Sequence, residues 1–432
     1  MIRRVDLRGA GRGAAPGVRT VVPRASVDVA TAMDAAARIC ADVRSQGEKA
    51  VLAATRRFDA IEDPVLAVPS EAIAQAYEQL DPDVRTALAE SIRRLQSTCA
   101  AELAADVSTE VSTGGTVTRR HLPVERVGLY VPGGLAPLVS SVVMNVVPAQ
   151  VAGVGSIAVA SSPQREHGGL PHPVVLAGCA ALGVDEVYAV GGAQAIAMFG
   201  YGAGPCRPVD LVTGPGNVYV TAAKRLLRGQ VGTDGDAGPT EIMVLADDSA
   251  DPVLVAADLI SQSEHDPLAA SVLVTASLHV AEQVQEELAR QVSAAKHGER
   301  ISASLRGQQS AVVLVDDLDH GLAVVDAYAA EHLSVQTRDA HDVAVRVRNA
   351  GAVFVGPYTP IALGDYCAGS NHVLPTGGSA RHSSGLSVST FLRQQHLVSY
   401  SEAALRDVAP AVIALAEAED LPAHGSAIRA RC

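Results

Sequence analysis

Apolar residues recur at helical spacing through residues 26–105, within alanine-rich runs that include Val84, Leu88 and Ile92. Asp81-Pro82 sets an acid at an N-cap and proline at the first helical position, a start signal for one of these helices. Thr116 to His121 alternates like a strand. From Val127 short apolar runs end in glycine and lead into helical patterns. VGLYV runs into Pro132-Gly133-Gly134, and SIAVAS (156–161) precedes a helix near 172–182. EVYAV (186–190) runs into Gly191-Gly192 and AQAIAMF, and VDLVT (209–213) into Gly214-Pro215-Gly216-Asn217 and a helix ending near Arg228. Such β-loop-α repetition predicts a parallel sheet with helices on its faces. A second series has strands at 241–246, 271–275, 311–315 and 352–356, with helices near 251–262, 278–295, 320–330 and 339–349. The Arg-, Gly- and Pro-rich residues 1–25 read as an arm. Residues 403–418 form a last helix, in a tail of about 45 residues too short to bury a core alone.

At 432 residues with 48% apolar positions, the chain has enough material for two or more domains and a cleft between them. The charge of −13, with only three lysines (Lys49, Lys224, Lys296), argues against nucleic acid as a partner. Aromatics at 3% with no tryptophan leave few stacking platforms for single strands. Polar and glycine residues interrupt the most apolar stretch, Val142 to Ala160, so no membrane span is expected. The N-terminus lacks the apolar run of a signal peptide. Six scattered cysteines without a C-x-x-C read as reduced thiols in a cytoplasmic protein.

Five groups of residues are candidates for chemistry. The glycine turns, with Tyr130, Gly133-Gly134, Gly191-Gly192-Ala193-Gln194 and Gly214 to Asn217, lie at strand ends. Ligands of parallel sheets bind beyond the carboxyl ends of the strands, where backbone N–H groups can meet a phosphate. The same residues also make ordinary turns, and no G-x-G-x-x-G is present. Gln262 and His265, spaced i, i+3 at a helix end, either share one ion or are solvated. The adjacent pair Glu331-His332 precedes a strand and suits two proton-transfer roles on one substrate. The loop-like stretch 364–376 concentrates Asp365, Cys367 and His372, with Asp365 a metal-ligand candidate and His372 a partner for it. Cys367 reads better as a small packed thiol than as a nucleophile. Glu419 and His424 in the tail read, by themselves, as a solvated helix end.

In order along the chain stand VGLYVPGG, SSVVMNVVPAQVAG, VGGAQAIA, VTGPGNVYVTAAKR, AGPTEI, DLISQSEHD, AAEHLSVQT, GDYCAGSNHVLPTGG and AEDLPAHG. Together these blocks, from about residue 26 to 430, resemble the histidinol dehydrogenase family. The resemblance implies oxidation of L-histidinol through L-histidinal to L-histidine with two NAD, in the last steps of histidine biosynthesis. It implies one zinc per subunit, held by Gln262, His265, Asp365 and His424. Glu331 and His332 would be the catalytic proton-transfer pair, and Tyr130, Gln194 and Asn217 would contact NAD. Thr240, Gln262, His265, His332, Asp365, Glu419 and His424 would contact substrate. Many members have serine where this chain has Thr240.

The fold class expected is α/β: two Rossmann-like βα domains with parallel sheets and short N- and C-terminal helical tails. The expected division is an arm (1–25), a first α/β domain (26–128 with 241–385) carrying metal and catalytic residues, an NAD-binding domain (129–240), and a tail (386–432). The resemblance implies a homodimer in which the tail reaches the partner's active site. Two rival readings are a paralogous zinc- and NAD-dependent dehydrogenase of another polyol, such as a sulfonated diol, and a non-catalytic nucleotide- or zinc-binding protein. Retention of Glu419 and His424 favours histidinol over the first. Glu331-His332 together with all four ligand positions argues against the second.

Overall fold

The computed structural model describes residues 2–11, 13, 17–25, 29–133, 136–235 and 238–432. Two parallel sheets organise the chain. The first has five strands, in the order Val187–Ala189, Ser156–Ser161, Arg126–Val131, Leu211–Thr213 and Gly232–Thr233. The second has six, in the order Arg3–Asp6, Ala311–Leu314, Ala270–Thr275, Glu241–Ala246, His332–Gln336 and Ala352–Val355. The central strands of the six-stranded sheet are near-continuous apolar runs because both faces are covered. Ile242 and Val244 enter one core, while Met243 and Leu245 enter the core on the opposite face.

The N-terminal residues 3–6 are more than an arm. They pair with Ala311–Leu314 as the edge strand, and their half-buried and exposed positions alternate as suits an edge. The helices of residues 29–102 pack differently from the expected grouping with 241–385. Ala36 and Cys40 share a core with Phe199 and Ala223, and Leu88 and Leu95 share one with Val142 and Val146. A parallel sheet needs helices on both faces, and these helices add to the cover that the crossovers of 129–240 provide. Helix Pro82–Glu102 also touches the other half: the Ser91 hydroxyl donates to the Tyr366 carbonyl at 2.5 Å.

The tail is not purely helical. Leu392–Tyr400 pairs antiparallel along Gly115–Pro123, which also pairs with Val107–Ser112, in a three-stranded sheet. Helices Glu402–Ala418 and Pro422–Arg429 follow. Leu397, Val398 and Leu415 are exposed at 56%, 63% and 66%. Helix 339–349 shrinks to Ala340–Ala344. Among the described residues no helix is long and apolar enough to cross a membrane.

Candidate active site

A cavity of about 220 Å³ lies between the two sheets, with Gly214 and Asp234 on one side and Thr240, His332 and Asp365 on the other. From the five-stranded sheet it receives the carboxyl-end turn after Leu211–Thr213. From the six-stranded sheet it receives the opposite edge. Thr240 immediately precedes strand Glu241–Ala246, and His332 is the first residue of His332–Gln336. The chain reaches that edge through Ala329, which caps helix Leu318–Tyr328 in the left-handed conformation (φ +56°). Neighbouring Gly351 is forced by proximity, because a Cβ there would stand 2.5 Å from the Glu331 carbonyl oxygen.

Glu331 is buried, and its Oε2 accepts from the Thr240 hydroxyl at 2.6 Å and the Glu241 N–H at 2.9 Å. Burial pushes this carboxyl up, but the adjacent His332 and these donors outweigh it and hold it below its ordinary range. His332 Nδ1 lies 3.1 Å from the Glu241 carbonyl oxygen and 3.5 Å from Glu331 Oε2. A carbonyl only accepts, so Nδ1 carries the hydrogen and Nε2 remains to accept a proton. Burial pushes His332 down, and Glu331 and Asp365 more than reverse that. Beneath the pair, Arg24 from the N-terminal segment neutralises buried Glu241, with Nε 2.5 Å from its Oε1.

Gln262 and His265 lie at the end of helix Pro252–Ser263 and just beyond it, and Asp365 on the short helix Ile361–Tyr366. His265 Nε2 stands 3.9 Å from Asp365 Oδ2. That gap is too wide for a hydrogen bond, and an imidazole nitrogen and a carboxylate oxygen are both ordinary zinc donors. Gln262 is buried and does not line the cavity; its Nε2 donates to the Thr240 hydroxyl, so Thr240 links Glu331 to Gln262. His372 Nδ1 bonds the Asp365 backbone carbonyl at 3.1 Å, and its Nε2 lies 3.3 Å from the Ser141 hydroxyl, which fixes the ring beside Asp365. Among the described residues, no three His, Cys, Asp or Glu side chains come together to hold a metal. Glu419 and His424 are exposed on the tail and do not line the cavity. Cys367 also lies off its walls, which leaves a thiol nucleophile without support.

A second cavity, of about 690 Å³, opens over the carboxyl ends of the five-stranded sheet and is lined by Gln194 and Asn217. Asn217 Oδ1 caps helix Val218–Leu227 by accepting the N–H groups of Tyr219 at 3.0 Å and Val220 at 3.2 Å, so only its NH₂ is left for a ligand. Tyr130 is buried behind the wall, where its hydroxyl accepts the Gly192 N–H at 3.1 Å. Gly134 lies outside the described residues. Gly214 has φ +111°, and a Cβ there would stand 2.0 Å from the Tyr130 carbonyl oxygen.

The sequence reading missed the pair that holds this turn. Asp234 Oδ2 accepts the Gly214 N–H at 2.8 Å, and Lys224 Nζ bonds both the Gly214 carbonyl and Asp234 Oδ1 (2.5 Å). A signal was available: Lys224 is one of three lysines in 432 residues. Arg24 and Glu241 gave no comparable signal.

Residues 22–432 match the family model described as histidinol dehydrogenase. The histidinol dehydrogenase of Thermobifida fusca is 62% identical over 431 residues, covering 100% of this chain and 98% of that one. That of Mycobacterium tuberculosis is 56% identical over 436 residues, covering 100% and 98%. The crystal structure of histidinol dehydrogenase from Elizabethkingia anophelis superposes with a TM-score of 0.93 at 29% identity, covering 100% of this chain and 98% of that one. Full-length matches of this kind do not favour the paralogous polyol or sulfonated-diol reading. The chain belongs to the histidinol dehydrogenase family.

Proposed function

We propose that the chain oxidises L-histidinol through L-histidinal to L-histidine with two NAD, one cavity serving both steps. The observation that carries this reading is the buried Glu331-His332 pair at the rim between the two sheets. It offers a carboxylate held ionised and an imidazole with one free nitrogen.

The cavity over the five-stranded sheet suits NAD in size and in the amides of Gln194 and Asn217. When bound, NAD supplies the hydride acceptor. The donors Gln262, His265 and Asp365 suit zinc in chemistry, and among the described residues no further His, Cys, Asp or Glu joins His265 and Asp365 to hold it. When bound, zinc orients the substrate's imidazole and amine. His424 of a second chain would complete the set, and Glu419 would meet the substrate there. The tail's uncovered apolar residues, Leu397, Val398 and Leu415, support a homodimer built on this segment. The unpaired cysteines, four of them buried, fit a reducing compartment such as the cytoplasm.

In the first oxidation His332 Nε2 takes the hydroxyl proton as the carbinol carbon loses its hydride. Glu331 then takes a proton from water as its oxygen adds to the aldehyde carbon, giving a gem-diol. His332 accepts a proton of that diol as the second hydride leaves. Thr240 and the Glu241 N–H hold the Glu331 carboxylate throughout. A coupled assay with L-histidinol tests this: two NADH per histidine, with little free aldehyde, is the expected result. One NADH with accumulating aldehyde would overturn it.

A further inference from the structure

The larger cavity has a second wall that comes from neither βα series. Helices Val29–Gln46 and Glu48–Phe58 face the glycine turns across it and contribute Arg38, Asp42, Arg57, Phe58 and Asp59. Asp59 caps the C-terminus of the second helix, its N–H donating to the Thr55 carbonyl at 3.0 Å. One of its carboxylate oxygens is buried and has no hydrogen-bond partner. Burial pushes this carboxyl up to about 6. That oxygen is sealed from the cavity, and it is the rest of the Asp59 side chain, which lines the wall, that can meet a ligand's hydroxyl donors.

The turn from Gly214 to Asn217 fixes which part of a dinucleotide arrives. Gly214 and Pro215 line the smaller cavity with Thr240, Glu331 and His332, whereas Asn217 lines the larger one. A dinucleotide that delivers its nicotinamide to the first must cross this turn and leave its adenosine half in the second. There the exposed ring of Phe58 offers a stacking face, with Asp59 next to it.

Resting on the NAD reading above, we propose that Asp59 binds the adenosine ribose diol and excludes a 2′-phosphate, making it the residue that selects NAD over NADP. A carboxylate accepts hydrogen bonds from both ribose hydroxyls and repels a phosphate at the same place. Its position at a helix C-terminus adds partial negative charge to that repulsion. Dinucleotide folds with the glycine fingerprint use an acidic residue for the same choice, but one that follows the second strand of the βαβ unit. Here it enters from outside the sheet's own crossovers.

Calorimetric titration without substrate reads this directly, using AMP, adenosine 2′,5′-bisphosphate, NAD and NADP on the full-length protein. The unmodified chain should bind AMP and NAD more tightly than their 2′-phosphorylated counterparts by at least about tenfold, the effect of one like-charge contact. Asp59→Asn keeps the shape and an acceptor but loses the charge. It should bring the two affinities within about threefold, mainly by tightening the 2′-phosphorylated ligands. Asp59→Ala should also weaken AMP and NAD. If the alanine variant does not fold, the asparagine variant decides. An unchanged preference in Asp59→Asn, or a native preference for the 2′-phosphate through Arg38 or Arg57, overturns the inference while leaving NAD binding intact. Binding of none of the four ligands overturns the NAD reading itself, and the inference with it.

Discussion

The two sheets meet the active-site region with opposite edges. The five-stranded sheet offers its carboxyl ends, so helices Gly192–Tyr201 and Val218–Leu227 point their N-termini, and partial positive charge, toward the larger cavity. The six-stranded sheet offers its amino ends, so helices Pro252–Ser263 and Leu318–Tyr328 point their C-termini and partial negative charge there. The first edge suits the phosphates of a dinucleotide. The second suits a cation and a histidine that must accept protons. A hydride acceptor and a proton acceptor can thus be held side by side, each in a field of the sign it needs. The edges also differ in completeness: one chain supplies both walls of the larger cavity, whereas among the described residues no three His, Cys, Asp or Glu side chains come together at the other edge.

The largest expected effect breaks the proton-accepting edge alone. His332→Asn should lower turnover of both oxidations by roughly a hundredfold to ten-thousandfold. Glu331→Gln should slow oxidation of supplied L-histidinal more than conversion of histidinol to aldehyde, as single-turnover kinetics would measure. Equal, small losses in both variants would make the pair structural.

The opposite edge is broken at Lys224. Lys224→Met leaves Asp234 buried without its cation, which should cost about 3–5 kcal/mol in urea unfolding. It should also raise the KM for NAD more than that for histidinol, because the pair holds the Gly214 turn. A smaller effect separates stability from chemistry in the six-stranded half. Burial pushes the Asp258 carboxyl up to about 6 from an ordinary 3.8. A raised pKa means that folding favours the protonated form, so this stability is full below about pH 4 and is lost as pH rises through about 6. Asp258→Asn should therefore stabilise the protein at pH 7.5, on the order of 1–3 kcal/mol, with the gain vanishing near pH 4. A gain independent of pH in thermal melts would contradict the ionisation argument.

The contrast between edges also explains what the sequence made legible. Runs such as EIMVLA and SIAVAS form strands with the expected bounds because fully buried parallel strands leave a continuous apolar signature. The glycine turns sit where the carboxyl-end rule puts them. Thr240 and Glu331-His332 do not, because a helix C-terminus and a strand start carry no comparable motif. The motif blocks pointed to these residues, but not to the edge they occupy. The grouping of residues 29–102 was invisible because amphipathic helices show that a face is buried without showing against what. Strand Leu392–Tyr400 was missed because it is exposed on both faces and lacks the alternation of a half-buried strand. Lys224 with Asp234, ten residues on, and Arg24 with Glu241, 217 residues on, are charge pairs with no helical or strand periodicity to announce them.

Subunit mixing shows whether the tail of a second chain completes the metal edge. A His265→Ala chain and a His424→Ala chain, each inactive alone, are exchanged into heterodimers. If the tail of one chain completes the site of the other, each mixed dimer has one site with both defects and one with none. Random pairing makes half of the dimers mixed, so about a quarter of the native activity should return. If the tail serves its own chain, every site keeps one defect. Heterodimers shown to have formed, yet recovering no activity, would contradict the account.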